Sequence, residues 1–123
     1  MAKLTLYTGI SCPKCPKARE LLRQVAMEAG LVEGRDFVEK LIDGESIKTE
    51  QIMEIEGQRF HIVQDESKIT PEITPCIVAG QDFSLEALMF QIASVPSLVL
   101  DEQTIFKGDV PTKEQLIARI RGI

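Results

Sequence analysis

A chain of 123 residues with 44% hydrophobic side chains can fill one continuous core, so a single domain over residues 1–123 is expected. Nineteen acidic against 14 basic side chains give a formal charge of −5, the wrong sign for a protein that gains affinity by neutralising phosphates; nucleic acid is not an expected partner. No apolar run approaches the length of a membrane span, and Met1-Ala2-Lys3 leads into a strand-like segment rather than an export signal, so a cytoplasmic protein with no membrane partner is expected.

Residues Lys3 to Thr8 alternate, with Leu4 and Leu6 on one face and Thr5 and Tyr7 on the other, which predicts a short strand closed by Gly9. The pair Cys12 and Cys15 follows at C-x-x-C spacing. From Pro16 the positions Ala18, Leu21, Leu22, Val25, Ala26 and Ala29 recur at helical spacing, with Pro16 suited to a first turn and Gly30 to a left-handed cap. Asp36 to Ile42 reads as a second strand before the Asp43-Gly44 turn. Strand, helix and strand in this order predict a right-handed parallel crossover, with the cysteine loop at the carboxyl ends of the strands.

Residues 43–83 are expected to form an insertion. Ile52, Met53 and Ile55 fit a short helix, while Gln51 to Val63 around Gly57 also fits a hairpin, and Ile73 to Ala79 fits an extra strand that Pro75 would send to a sheet edge or give an irregular start. Ser84 is the expected cap of a helix whose stripe is Leu85, Leu88, Met89 and Ile92 and which ends before Pro96. Ser97 to Leu100 and Thr104 to Lys107 then predict a hairpin around Asp101-Glu102-Gln103. A last helix carries Leu116, Ile117 and Ile120 behind a Thr112/Gln115 capping box.

Three cysteines cannot staple a chain of this size throughout, so their expected use is redox or metal chemistry. Thiol–disulfide exchange needs one thiolate to attack and a second thiol near enough to resolve the mixed disulfide. A C-x-x-C pair at a helix start supplies both, because free backbone N–H groups and the helix dipole stabilise a thiolate there. Cys12 is the expected nucleophile and Cys15 the resolving thiol. Pro13 stiffens the turn between them, and Lys14 adds a modest favourable charge. The competing use of the motif is a Cys3His zinc set of Cys12, Cys15, His61 and Cys76; a third use of the fold is non-catalytic partner binding. Taken alone, Cys76 is expected to be a buried apolar residue and His61 a strand-face histidine, and most of the charged residues are expected on the surface.

The run Tyr7-Thr8-Gly9-Ile10-Ser11-Cys12-Pro13-Lys14-Cys15, followed by helix, strand, helix, Val95-Pro96, hairpin and helix, resembles the thioredoxin/glutaredoxin superfamily over roughly residues 3–42 and 84–121. The resemblance implies an α/β thioredoxin-like fold: a mixed four-strand core sheet flanked by helices, with the insertion between the second strand and the helix before a cis-proline. It implies that Pro96 is that proline and that Val95 offers backbone contacts to an extended substrate beside the cysteines. Gly108 matches a family glycine that lets a partner approach. The function implied is thiol–disulfide oxidoreductase activity on protein disulfides, re-reduced by an electron donor, in a monomer without cofactor or resident metal.

Overall fold

The computed structural model describes residues 4–9, 14–42, 47, 50–55, 58–70, 72–73, 75–80, 83–89, 95–101, 103–108 and 110–121. These form strands β1 (Leu4–Thr8), β2 (Phe37–Leu41), β3 (Gln51–Ile55), β4 (Gln58–Val63), β5 (Cys76–Val78), β6 (Ser97–Leu100) and β7 (Gln103–Lys107). Three helices complete the set: α1 (Cys15–Ala29), α2 (Ser84–Met89) and α3 (Lys113–Arg121). All seven strands join one mixed α/β sheet in the order β3-β4-β5-β2-β1-β6-β7.

The first crossover is as expected: β1 and β2 run parallel, Leu4 opposite Phe37 and Leu6 opposite Glu39, with α1 between them in the chain. Pro16 lies in the first turn of α1, and Gly30 caps it at φ 75°. Leu31 N–H reaches back to the Ala26 carbonyl at 2.8 Å, closing the last turn. On the other side of β1, β6 pairs antiparallel, and β7 antiparallel to β6. Leu100 pairs with Gln103, so the hairpin loop is a residue shorter than its sequence suggests, with Asp101 at φ 47°.

The sheet has seven strands rather than the four of the expected core, because segment 43–83 adds strands of its own. Its residues extend the β2 edge: β5 and β4 add in parallel, and β3 folds back as a hairpin on β4. The alternation of Phe60, Ile62, Ile77 and Ala79 with Leu41 makes a continuous core that a detached element could not reach. Nor is the strand after Pro75 an edge strand, since it lies between β4 and β2. It begins at Cys76, so Pro75 interrupts no ladder, and the Pro75 carbonyl still accepts from His61 N–H at 3.0 Å.

Strand alternation divides the core between two faces. On one, Leu4, Leu6, Phe37, Leu98 and Leu100 meet Ala18, Leu22, Val25 and Ala26 of α1 and Leu116 and Ile120 of α3. On the other, Tyr7 and Val99 meet Ala87 of α2, while Val63, Cys76 and Val78 meet Phe83. The expected stripe of α2 is not the buried one: Leu85, Leu88 and Met89 are exposed, while Phe83 and Ala87, four residues apart, face the sheet. Ile92 lies outside the described residues.

Candidate active site

β1 ends at Thr8 and α1 begins at Cys15, so the second cysteine of the motif stands at the carboxyl end of a central strand. Cys12 and Pro13 lie outside the described residues. Cys15 opens α1, is 1% exposed and is disulfide-bonded, whereas Cys76 is a buried free thiol. Lys14 sits at the cap position with an exposed side chain and no side-chain cap bond; its carbonyl accepts from Ala18 N–H at 3.2 Å.

The Val95–Pro96 peptide is cis, and Pro96 is buried while Val95 is half-buried. Pro96 shares a small apolar cavity with Ala18 and Leu21 of α1 and Phe106 of β7, which brings it beside the helix that Cys15 begins. The Pro96 carbonyl accepts from Gly108 N–H at 2.7 Å, with Gly108 at φ 69°. Cys15, Pro96 and Gly108 therefore come from three separate chain segments to the same end of the sheet.

Beneath them lies a buried cluster of charged side chains, an exception to the surface placement expected for most charges. Glu39 projects from the middle of β2 towards α1 and is 1% exposed, and Arg19, one turn after Cys15, is 5% exposed. Arg19 Nε lies 2.9 and 2.8 Å from the two Glu39 carboxylate oxygens, and its Nη2 is 2.7 Å from Oε2. Thr8 Oγ1 donates to Glu39 Oε2 at 2.8 Å, and Arg23 Nη1 donates to Oε1 at 2.8 Å. Arg23 also pairs with Glu33 at 3.0 Å and donates to the Cys76 carbonyl at 2.9 Å. The Cys76 N–H donates to Glu33 at 2.7 Å. Both guanidinium groups lie 5.2 Å from the Phe60 ring centre. Burial alone would lower the Arg23 pKa, but the facing charges of Glu39 and Glu33 outweigh it and raise it.

A signal for this cluster was present in the sequence. Glu39 alternates in phase with Phe37 and Leu41, so it had to share their inward face, and Cys15, Arg19 and Arg23 recur at four-residue spacing beside Leu22 and Ala26.

Comparison with known proteins finds no matching family model, curated protein or solved structure.

The geometry thus stands by itself, and it also bears on the zinc set. His61 and Cys76 are cross-strand partners on β4 and β5. Their side chains alternate onto the α2 face, opposite α1 and Cys15, so the described part of the set is not brought together. Among the described residues no group of three or more His, Cys, Asp or Glu is placed to hold a metal ion. Burial, with the Glu33 carboxylate adding to it, pushes the Cys76 thiol up to about 11. Its Sγ lies 3.1 Å from the Ile73 carbonyl, so it is held as a neutral donor rather than as an attacking thiolate.

Proposed function

We propose that the protein is a thiol–disulfide oxidoreductase of thioredoxin-like architecture, with Cys12 as the attacking thiol and Cys15 as the resolving one. The observation that carries this reading is the disulfide-bonded Cys15 at the first residue of an amphipathic helix, at the carboxyl end of a central strand. With Cys76 a free thiol, Cys12 is the remaining cysteine of the sequence. The order β2-β1-β6-β7, with a parallel β1–α1–β2 crossover and an antiparallel hairpin leading to α3, supports the architecture; β3, β4 and β5 enlarge it.

In the reducing direction the Cys12 thiolate attacks one sulfur of a substrate disulfide. That bond breaks, the departing substrate sulfur takes a proton, and a mixed disulfide remains. The Cys15 thiol, having lost its proton, attacks Cys12 and releases the second substrate thiol. Two electrons and two protons pass to the substrate, and the protein keeps the Cys12–Cys15 disulfide until a dithiol donor reverses the sequence. The helix start favours the thiolate on Cys12, with Pro13 and Lys14 as adjusting neighbours. Val95 and Pro96 form the wall along which an extended substrate segment lies. No cofactor is required, and the expected substrates are protein disulfides met by a monomer in the cytoplasm.

Reduction of insulin disulfides, with dithiothreitol as donor, tests this reading. Wild type accelerates the reaction; Cys12→Ser lowers the protein-dependent rate at least 100-fold, and Cys15→Ser accumulates mixed disulfide. A Cys12→Ser rate equal to wild type would overturn the assignment.

A further inference from the structure

Glu39 is a buried acidic side chain in the middle of a sheet, and the exchange chemistry does not use it directly. Its carboxylate accepts from Thr8, the last residue of β1, and from Arg19, one turn beyond Cys15. These contacts tie the end of β1 to the first turns of α1, the two elements on either side of Cys12 in the chain. They also settle the local charge: Arg19 and Arg23 are balanced by Glu39 and Glu33, so the buried cluster is neutral. Cys15 and Arg19 are both buried on the sheet-facing side of α1, four residues apart, which sets their Cβ atoms about 5–6 Å from each other.

We propose that Glu39 is a positioning residue for the cysteine pair, compensating the Arg19 charge so that no unbalanced cation stabilises the Cys15 thiolate. The inference rests on the oxidoreductase reading for its meaning but not for its measurement. A neutral cluster leaves the dithiol form without extra electrostatic support and so favours the disulfide. Among the described residues the other charges next to Cys15 along the chain are the exposed Lys14 and Lys17 at the start of α1, which solvent screens. Pro96 and Ser97 bring none, and the Lys40–Glu86 pair lies on the opposite face of the sheet.

Glu39→Gln keeps an acceptor for Arg19 and Thr8 while removing the charge. In a Cys12→Ser/Cys76→Ala background Cys15 is the one cysteine left in the sequence, and thiolate absorbance at 240 nm follows it without needing access or activity. Glu39→Gln moves that titration to lower pH. With both cysteines present, it shifts the equilibrium against glutathione towards the dithiol by about tenfold, or about 30 mV. Glu39→Asp restores the wild-type titration. Thr8→Val, which removes one of the same contacts without changing charge, leaves it in place.

Arg19→Met removes the cation instead and moves the titration to higher pH. The double variant Arg19→Met/Glu39→Gln, neutral again, returns to the wild-type value, and this pair decides the matter if the single Gln variant does not fold. Equal shifts in Thr8→Val and Glu39→Gln, or no opposite shift in Arg19→Met, overturn the proposal. Absence of insulin reduction by wild type would remove the oxidoreductase reading while leaving these titrations readable.

Discussion

Single residues separate the two described cysteines by environment. Cys15 is paired at a helix start, whereas Cys76 is a neutral buried thiol held against the Ile73 carbonyl. Because burial raises the Cys76 thiol from an ordinary value near 9 to about 11, the folded state keeps it neutral longer than the unfolded state does. Its contribution to stability is complete below about pH 9 and is lost as pH rises through about 11. Urea unfolding midpoints should fall across that interval in wild type and fall less in Cys76→Ala. Iodoacetamide at pH 8 should leave Cys76 unlabelled until the protein is unfolded. The helix start at Cys15 and the cis bond at Pro96 were legible because each residue breaks a local pattern. Arg19 and Glu39 were not, since a charged side chain reads as surface until its phase against neighbouring apolar positions is weighed.

Among the elements, those with local chemistry at both ends were read most closely. The reciprocal bonds of the capping box are present, Gln115 N–H to Thr112 Oγ1 at 3.1 Å and Thr112 N–H to Gln115 Oε1 at 3.0 Å. Thr112→Ala should therefore cost about 1 kcal/mol, read as a lower urea midpoint with an unchanged slope. α1 was equally legible from Pro16, its stripe and Gly30. α2 was not: six residues carry too little period to decide which face packs, and the close approach of the helix to Tyr7 and Val99 selects Ala87 over the larger leucines. For Gln51 to Val63 the same ambiguity between helix and hairpin was settled by pairing, which places Phe60 and Met53 opposite each other on the inward face.

At the scale of the whole molecule, the parallel crossover and terminal hairpin were legible because each is short in sequence. The seven-strand sheet was not, because β5 joins β2 across more than 30 residues and only long-range packing dictates that contact. One consequence concerns stability. β5 covers the edge of β2, and the backbone of Cys76 is bonded on both sides by Arg23 and Glu33. Deleting residues 44–80 would expose a strand edge, remove Phe60 from both arginines and leave their cluster open to water. The deletion variant should lose the single cooperative urea transition expected of wild type, rather than behave as a trimmed core. A trimmed chain that unfolds with an unchanged midpoint would show the segment to be an appendage.

Electron transfer in a single turnover tests the central claim most directly. Fully reduced protein is mixed with an excess of a protein disulfide in the absence of any other donor, quenched by alkylation and read by peptide mass. Two substrate thiols should appear per protein, with Cys12 and Cys15 lost together to a disulfide and Cys76 still a thiol. Substrate thiols that do not exceed the no-protein control, or a product in which Cys76 is oxidised and Cys12 is not, would contradict it.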